Sequence, residues 1–522
     1  MSLRRTAAVV GVVVGGAVAI GAPMRATEGA RTTADEPHYL LTAISLWEDR
    51  DLDIGDERRE GRYLEFHEVL LPIQAEVRTD GSQVAPHDPL LPAVLAPATG
   101  LGGWLGAKLM LAAIAGCLAA LTVAVAVRRF GVGQRLAAVV AMLTGASPPL
   151  AIYGTQVYPE LPAALVALAG FWWATAPGAM RARHVVGAAA AVVALPWLSV
   201  KYAPVATVLA VGVVWRLAHA RQVRHLVSVL VAFAVAGATF AALHHWWYGG
   251  WTAYASGSHF RTGELSVVGN PNHLGRSRRL VGLLVDRNFG LVPWQPAALA
   301  VVPAIAVLAR RRPPGSWLLA GMVAAAWLNA TFVALTMHGW WWPGRQIVVI
   351  VPLLAVAVAW WVQRLGRWGR RGVAGAGALG VFAYAGLLVG VLSRRHTLIV
   401  DFDRTVNPLV RFVGRVLPDG TASLTGTTAW LTAVWVAVFA VVAVVAASGD
   451  ERFGRRSRRH AGADVLGDDA PEIGGGNLAD DRAEAVGVGE RLVGLGDRHG
   501  PAPHDRVADD VADRVDELSQ RS

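Results

Sequence analysis

The chain has 522 residues, of which 54% are hydrophobic and 16% are charged, and its formal net charge is +10. Its apolar runs repeatedly exceed the roughly 17 residues that cross a bilayer as a helix, which indicates an all-α polytopic membrane protein. The arginines are dispersed in short clusters between these runs, which argues against nucleic acid as a partner. The single cysteine, Cys117, excludes a disulfide framework.

Twelve apolar segments are predicted to span the membrane. In chain order they cover about 7–23, 104–127, 136–152, 160–176, 185–199, 203–217, 226–243, 290–309, 316–336, 346–362, 373–392 and 429–447. Arginine clusters occur in alternate loops, always on the side of Arg4 and Arg5, and the positive-inside rule places that side in the cytoplasm. Arg4 and Arg5 followed by an apolar run also resemble a signal peptide. The arginine-rich loops alternate between the two sides more consistently when the first segment is counted as an uncleaved anchor. We therefore expect a plasma-membrane protein, surrounded by membrane lipids, with both termini in the cytoplasm.

Three segments are expected on the outer side. The longest runs from Met24 to Gly103, and the others cover 244–289 and 393–428. Long loops with apolar and aromatic residues usually carry function. After Ser448 the composition changes to mainly Asp, Arg, Gly and Ala, which predicts a disordered cytoplasmic tail over 448–522. Residues 1–447 then form the transmembrane domain.

Two adjacent carboxylates, Asp35 and Glu36, stand in "TTADEPHYL" just after the first apolar segment. The following residues predict an amphipathic helix on the outer membrane surface, because apolar side chains recur at helical spacing. These apolar residues are Tyr39, Leu40, Ala43, Ile44 and Trp47. Asp35 can be the N-cap of this helix, with Pro37 in its first turn. A carboxylate fixed at a helix start can also act as a general base, and the two interpretations are compatible.

Two further segments bring charge to the outer ends of spans. "YGTQVYPEL" places Tyr158 and Glu160 at the outer interface, where an unpaired carboxylate usually has a partner or a function. "WLSVKYAP" places Lys201 at the outer tip of a short helical hairpin. A lysine there either snorkels to the interface or contacts a phosphate, for which a compact ammonium group is well suited.

Aromatic-rich segments supply the remaining candidates. "HHWWYGGWTAYASGSHFRTGEL" contains His259 and Arg261, and its His244–His245 pair lacks the accompanying ligands and spacing of a metal site. "MHGWWWPGRQI" contains three consecutive tryptophans that act either as interfacial anchors or as a platform for a sugar or lipid. Arg345 follows them on the outer side, against the usual distribution of charge, and its guanidinium suits an anionic phosphate.

All these polar candidates fall on one face of the membrane, whereas the spans are nearly free of ionisable residues. An ion-coupled transporter normally keeps carboxylates or bases at mid-membrane, so the pattern favours chemistry at the outer surface. Two alternatives stay open at this point. One is a carrier that moves a lipid-linked sugar or polysaccharide without catalysis, and the other is a non-catalytic scaffold.

Five segments occur in a fixed order over about residues 30–360, all on the outer side: "ADEPHYL", "YGTQVYPEL", "LSVKYAP", "DRNFGLVPWQP" and "WWPGRQ". In this arrangement the chain resembles the glycosyltransferase C superfamily, in particular the branch of protein O-mannosyltransferases and bacterial lipid-modifying sugar transferases. The resemblance implies transfer of a sugar from a polyprenyl-phosphate donor to a hydroxyl group of a glycan, lipid or protein acceptor.

The resemblance also implies roles for single residues. Asp35 would be the general base, and the acceptor hydroxyl would attack the anomeric carbon with inversion as polyprenyl phosphate leaves. Glu36 and Glu160 would position the base or the acceptor, with Tyr158 as a further substrate contact. Cations would neutralise the departing phosphate, namely Lys201 and Arg345 together with Arg261 or His259. The adjacent acids allow a divalent metal, since some members of the superfamily use one and others do not.

Overall fold

The computed structural model of the protein describes residues 1–75, 77–257, 272–337, 339–399, 405, 407–420 and 426–463, with side chains described to residue 448 except at position 409. Contacts divide the chain into a unit Met1–Arg459 and a second unit His460–Ser522, and the features below belong to the first. Regular structure in the described ranges is helical, apart from isolated β-bridges.

The α-helices of the described ranges are, in chain order, α1 Leu3–Ala19, α2 Glu36–Glu48, α3 Gly55–Arg59, α4 Leu90–Phe130, α5 Gln134–Gly145, α6 Leu150–Tyr153, α7 Glu160–Ala174, α8 Ala182–Leu198, α9 Ala203–His219, α10 Val223–Tyr248, α11 His273–Ser277, α12 Arg279–Val285, α13 Val301–Arg311, α14 Ser316–Leu328, α15 Val351–Val362, α16 Arg367–Leu392, α17 Pro408–Gly414 and α18 Gly426–Ala463. Short 3₁₀ helices cover Arg62–Glu65, Val200–Tyr202, Ala253–Ser256, Pro296–Ala300 and Arg345–Ile350, and a π-helical turn covers Asn329–Val333.

Within the described ranges, seven helical stretches are long and apolar enough to cross a membrane. They are Leu90–Phe130, Val200–His219, Val223–Ser256, Ser316–Val333, Arg345–Val362, Arg367–Leu392 and Gly426–Ser448. The helices α7 and α8 are apolar but shorter. Each of the twelve predicted spans overlaps a helix, so the helical membrane class is confirmed, while the number of crossings stays a prediction.

Close helix packing builds the core of this unit. Helix α1 packs on α4 at Gly11 and Gly116, where a Cβ added to Gly11 would lie 2.9 Å from the Gly116 carbonyl oxygen. Small residues at a helix interface permit such an approach. All of α15 except Trp361 is buried, as expected for a helix that is apolar on every side.

Helix α4 is bent near its first third. Gly102 and Gly103 leave helical geometry, with a φ of +58° at Gly103. The predicted span from residue 104 begins directly after this bend. The part before the bend packs against α2. The two helices approach so closely there that a Cβ added to Gly100 would overlap the Trp47 ring.

The helix predicted after Asp35 forms, but it is not a surface helix. Helix α2 begins at Glu36 with a proline in its first turn, as predicted. Its residues Glu36–Ser45 are all buried, and the polar Thr42 and Ser45 satisfy their hydroxyls by hydrogen bonds inside the protein. The prediction of an amphipathic helix lying on the membrane surface is therefore wrong, because protein covers both polar and apolar side chains as far as Ser45 and leaves Trp47 and Glu48 exposed at the end of the helix.

The last described helix passes the predicted boundary between residues 447 and 448. Helix α18 continues to Ala463, and the disorder and location of the tail stay predictions. Residues 464–522, on which the rest of that prediction falls, lie outside the described residues.

Candidate active site

Four charged side chains from four separate segments lie in one contact network. The Arg345 guanidinium donates from Nη2 to Asp35 Oδ2 at 2.9 Å and from Nε to Glu160 Oε1 at 2.7 Å. The Lys201 ammonium donates to the same Glu160 oxygen at 2.6 Å. Two acids and two cations thus meet, and their formal charges cancel. We call this set the Arg345 network.

Glu160 is the buried centre of the Arg345 network. Its side chain is 0% exposed, whereas the side chains of Lys201 and Arg345 are 18% and 12% exposed. Glu160 is the first residue of α7, where the positive end of the helix dipole favours an anion. A buried carboxylate is destabilising unless cations compensate its charge. Lys201 and Arg345 both pair with Glu160, which therefore holds these two cations side by side.

Asp35 differs from Glu160 in its access to solvent, because its side chain is 25% exposed. It occupies the N-cap position of α2, yet its side chain makes no capping hydrogen bond and faces Arg345 instead. Burial alone would raise the pKa of this carboxyl, but the Arg345 guanidinium, with smaller contributions from His87 and His38, lowers the pKa to about 2. Asp35 therefore occupies the N-cap position as predicted, but its side chain does not cap the helix.

Glu36 points into the protein rather than into the Arg345 network. Its carboxylate is fully buried and accepts hydrogen bonds from the backbone N–H of Val157 at 2.7 Å and of Thr33 at 3.1 Å. Lys108 Nζ lies 4.0 Å from Glu36 Oε2. The two adjacent acids thus have different surroundings: Asp35 faces a cation at an accessible position, whereas Glu36 ties the start of α2 to the loop before α7.

Aromatic rings hold the Arg345 side chain in place. Its guanidinium carbon lies 4.2 Å from the centroid of the Tyr158 ring and 5.0 Å from that of the Trp341 ring. Tyr158 is buried, and its hydroxyl donates to the Thr33 carbonyl oxygen at 3.2 Å. Cation–π contacts of this kind stabilise a guanidinium in a fixed position. Trp341, the middle member of the tryptophan triplet, is thereby in contact with the Arg345 network.

A glycine turn presents Arg345 to the network. Gly344 has a φ of +81°, in the left-handed region, and directly precedes the 3₁₀ helix Arg345–Ile350. A Cβ added to Gly344 would lie 2.8 Å from Leu291 Cδ2, and the Gly344 N–H donates to the Phe289 carbonyl oxygen at 3.0 Å. The "DRNFGLVPWQP" and "WWPGRQ" segments are therefore packed against each other.

Asp286 shapes the first of these two segments. Its carboxylate accepts hydrogen bonds from the backbone N–H of Asn288 at 2.8 Å and of Phe289 at 3.2 Å. Burial raises the pKa of Asp286 to about 7 despite these hydrogen bonds. The neighbouring Arg287 pairs with Asp419 at 2.6 Å. Asp286 and Arg287 thus both stabilise the loop whose Phe289 carbonyl oxygen accepts the Gly344 N–H.

Asp88 is a buried residue of the site that sequence reasoning missed. Its Oδ2 accepts the Val200 N–H at 3.1 Å, in the turn that carries Lys201, and its Oδ1 lies 2.9 Å from His244 Nε2. His244, considered above as a weak metal ligand, therefore orients Asp88. A sequence signal existed, because "HDP" at 87–89 repeats the acid-before-proline pattern of "DEP" at 35–37.

Two histidines beside Asp35, the buried His38 and the half-buried His87, were also missed. The His87 ring stacks on Tyr39 with 4.4 Å between ring centroids, and the His38 and His87 centroids are 6.2 Å apart. Burial lowers the pKa of both imidazoles, to about 3 for His38. Both rings are therefore neutral at physiological pH, and they add hydrogen-bonding capacity beside Asp35 rather than positive charge.

Two of the predicted phosphate contacts fall outside the described residues, and the sequence left a divalent metal at Asp35 and Glu36 open. His259 and Arg261 lie outside the described residues. In the part of the chain that the structure describes, Asp35 and Glu36 do not belong to a group of three or more acids, histidines or cysteines with ligand atoms within 4.8 Å of one another. Such a group does occur at Asp49, Asp56 and Glu57, after the other end of α2.

Comparison with known proteins gives structural likenesses alone. Searches found no matching family model and no matching curated protein. The structure is similar to that of ArnT from Cupriavidus metallidurans bound to undecaprenyl phosphate, with 15% identity, a TM-score of 0.46, and coverage of 87% of this chain and 79% of that chain. It is also similar to the apo state of ArnT, with 15% identity, a TM-score of 0.46, and coverage of 84% and 77%.

A further similar structure is the arabinosyltransferase EmbB from Mycobacterium smegmatis. The identity is 14% and the TM-score 0.40, and the match covers 84% of this chain but 41% of EmbB. The function proposed below rests on the residues of the site.

Proposed function

We propose that the protein is a membrane glycosyltransferase that transfers a sugar from a polyprenyl-phosphate donor to an acceptor hydroxyl on the extracytoplasmic face of the plasma membrane, with inversion. One observation carries the proposal: Arg345 joins an accessible carboxylate, Asp35, to a buried carboxylate that also holds Lys201. A base and two cations in one network are the groups that displacement of a sugar from a phosphate requires.

The two cations supply the phosphate site in this proposal. Lys201 and Arg345 converge on one oxygen of Glu160 and keep part of each side chain exposed, so both can turn toward a phosphate that reaches the outer surface. A guanidinium contacts phosphate oxygens in a fixed fork, and an ammonium adds a compact charge. Their charges would stabilise the polyprenyl phosphate as the anomeric C–O bond breaks. His259 and Arg261 are proposed, from sequence, as further phosphate contacts.

Asp35 is assigned as the general base because it is more accessible than Glu160. Its carboxylate would take the proton of the acceptor hydroxyl while the hydroxyl oxygen forms the new bond to the anomeric carbon, on the side opposite the leaving phosphate. Before the donor binds, Arg345 holds the Asp35 pKa at about 2, which makes the carboxylate a weak base. A donor phosphate that draws Arg345 toward itself would raise this pKa and strengthen the base.

The remaining site residues have supporting roles in this scheme. Glu36 fixes the start of α2, and so the position of Asp35, through its hydrogen bonds to the Thr33 and Val157 N–H groups. Tyr158 limits the directions in which Arg345 can turn. The acceptor, whether a glycan, lipid or protein, would approach from the solvent side of Asp35.

The experiment is a transfer assay with purified protein and a polyprenyl-phosphate sugar, in which release of polyprenyl phosphate is measured. Asp35→Asn keeps the size of the side chain and removes the base, so we expect release to fall about 100-fold or more, as for loss of a general base. Asp80→Asn, which changes an exposed acid in the same outer segment, is the matched control and should keep full activity.

The same assay separates an enzyme from a carrier. A carrier moves the donor without breaking it, so no polyprenyl phosphate would be released by the wild-type protein. If Asp35→Asn released polyprenyl phosphate as fast as wild type, the assignment of Asp35 as the base would be wrong.

A further inference from the structure

Three acids meet in the outer segment at the end of α2 that lies away from Asp35. Asp49 directly follows α2, and Asp56 and Glu57 belong to the short helix α3. One carboxylate oxygen from each lies within 4.8 Å of the others. With a rise of 1.5 Å per residue, α2 separates this group from Asp35 by about 20 Å. We call Asp49, Asp56 and Glu57 the acidic triad.

Glu57 of the acidic triad is a buried acid with no hydrogen-bond donor from outside the triad. The residue is 2% exposed, and neither of its carboxylate oxygens has a hydrogen-bond donor. A buried carboxylate without donors is destabilising, and a second carboxylate beside it adds repulsion. Outside the triad, the described residues therefore supply no group that would stabilise an ionised Glu57.

The basic residue next in sequence does not compensate this charge. Arg58 donates from Nη1 to Gln83 Oε1 at 3.1 Å and from Nη2 to the Leu71 carbonyl oxygen at 3.3 Å. Arg62, in the following 3₁₀ helix, makes two hydrogen bonds to Glu48 at 2.7 Å and 2.8 Å. Both guanidinium groups are thus directed to other acceptors.

Two other acids of the segment "DRDLDIGDERRE", Asp51 and Asp53, have structural partners, in contrast to Glu57. Asp51 Oδ1 accepts hydrogen bonds from the Ser45 hydroxyl at 2.8 Å and the Asp53 N–H at 2.9 Å. Asp53 Oδ1 accepts from the N–H groups of Gly55 at 2.9 Å and Gln83 at 2.6 Å. These bonds fix the loop that brings the acidic triad together.

We propose that the acidic triad binds a divalent cation of the calcium class. Three carboxylates supply hard oxygen ligands and a charge of −3, and they offer up to six oxygens to a cation that takes six to eight. Histidine and cysteine, which favour zinc and other transition metals, are not members of the triad. Asp49 is exposed, so water can complete the shell on that side. Bound calcium would join the end of α2 to α3 and supply the positive charge that Glu57 lacks.

The test is direct binding of radioactive calcium by equilibrium dialysis, with full-length protein in detergent after removal of metals by EDTA. At about 1 mM calcium, the range in which extracellular calcium modules saturate, we expect one ion per chain. Glu57→Gln should abolish binding, since it removes the ligand that lies deepest. Glu28→Gln, which neutralises an exposed acid elsewhere in the outer segment, is the matched control and should bind as wild type does.

Thermal unfolding separates loss of the ion from loss of the fold. Calcium should raise the unfolding midpoint of wild type and leave that of Glu57→Gln unchanged. In EDTA, Glu57→Gln should unfold no earlier than wild type, because a neutral amide of the same size replaces a buried carboxyl that has no donor from outside the triad. Equal calcium binding by wild type and Glu57→Gln would overturn the proposal. Absence of binding by wild type would overturn it as well, and would leave a proton shared between Asp56 and Glu57 as the explanation of the triad. These outcomes do not depend on glycosyl transfer.

Discussion

Arg345 is the residue whose partners explain most about the site. A single arginine at a helix start that the charge pattern assigns to the outer side departs from the usual distribution of charge. The structure supplies a reason, because Arg345 pairs with both Asp35 and Glu160. Both pairs are largely shielded from water, so they are stronger than exposed ion pairs. At the same time Arg345 keeps Asp35 a weak base. The proposed reaction therefore requires the guanidinium to change partners when the donor binds.

This exchange predicts a change in pH dependence for Arg345→Gln. Without the guanidinium, the burial of Asp35 is uncompensated, so its pKa should rise from about 2 to above its ordinary value of 3.8. Asp35 acts as a base when deprotonated, so the acid limb of kcat/KM, which reports the free enzyme, should move to higher pH. The rate should also fall about 100-fold through loss of the phosphate contact.

The measurement is kcat/KM of Arg345→Gln between about pH 4 and pH 8, a range that brackets ordinary carboxyl titration. Arg25→Gln, which removes an arginine from an exposed pair with Glu68, is the control and should leave the profile unchanged. A profile for Arg345→Gln with no acid limb in this range would contradict the proposed coupling of Arg345 to Asp35.

At the scale of elements, every member of the Arg345 network stands at or beside a helix start. Asp35 precedes α2, Glu160 begins α7, Lys201 lies in the 3₁₀ turn before α9, and Arg345 begins the 3₁₀ helix before α15. Short turns before helices can place one side chain accurately, since packing of the helix fixes the turn. The network thus depends on turn geometry as much as on the charged residues themselves.

Gly344→Ala tests this dependence. The φ of +81° at this position is unfavourable for alanine by about 1 kcal/mol, and the added Cβ would press on Leu291. The shift of Arg345 should lower the transfer rate about 10- to 100-fold, as displacement by about 1 Å commonly does. Transfer rates and thermal midpoints are measured together.

Gly315→Ala provides a control with matched backbone strain. Gly315 has a φ of +80° at the start of α14, and its added Cβ would contact Thr175 instead of the loop behind Arg345. We expect this variant to lose stability and keep activity per folded molecule. Equal losses of activity in both variants would show that strain alone, and not the position of Arg345, lowers the rate.

At the scale of the whole molecule, charge and apolar surface are arranged as a membrane requires. Helices α10 and α18 expose most of their apolar side chains, as expected where lipid surrounds a helix. The Arg345 network gathers its acids and cations at helix starts that the charge pattern assigns to the outer side. A protein with this division of charge should expose the two ends of its helices to different compartments.

The sidedness is tested by cysteine labelling in intact cells with a reagent that does not cross membranes. The native Cys117 is first replaced by serine. Because Thr32 and Thr33 are buried, the reporter belongs at an exposed outer position, and Asp80→Cys should react readily. Arg183→Cys, exposed on the arginine-rich side, should react after permeabilisation alone. The reverse pattern would place Asp35 in the cytoplasm and contradict the proposed extracytoplasmic reaction.

The sequence by itself determined the membrane class, the position of the helices and the identity of the charged members of the Arg345 network. Long apolar runs admit few structures in lipid, since every backbone polar group must be satisfied within the segment. Charge placed at the outer ends of such runs is rare enough to single out Asp35, Glu160, Lys201 and Arg345. Both inferences rest on local composition, which a sequence displays directly.

Only the tertiary structure decided which of these groups touch, and which neighbours are buried. Asp35 and Glu36 are adjacent, but successive residues of a helix point roughly 100° apart, so one faces Arg345 and the other faces Val157. The burial of α2 and the pairing of Asp88 with His244 join residues far apart in the chain. Contacts of that kind depend on how whole helices pack, and the spacing of residue types along the sequence does not predict them.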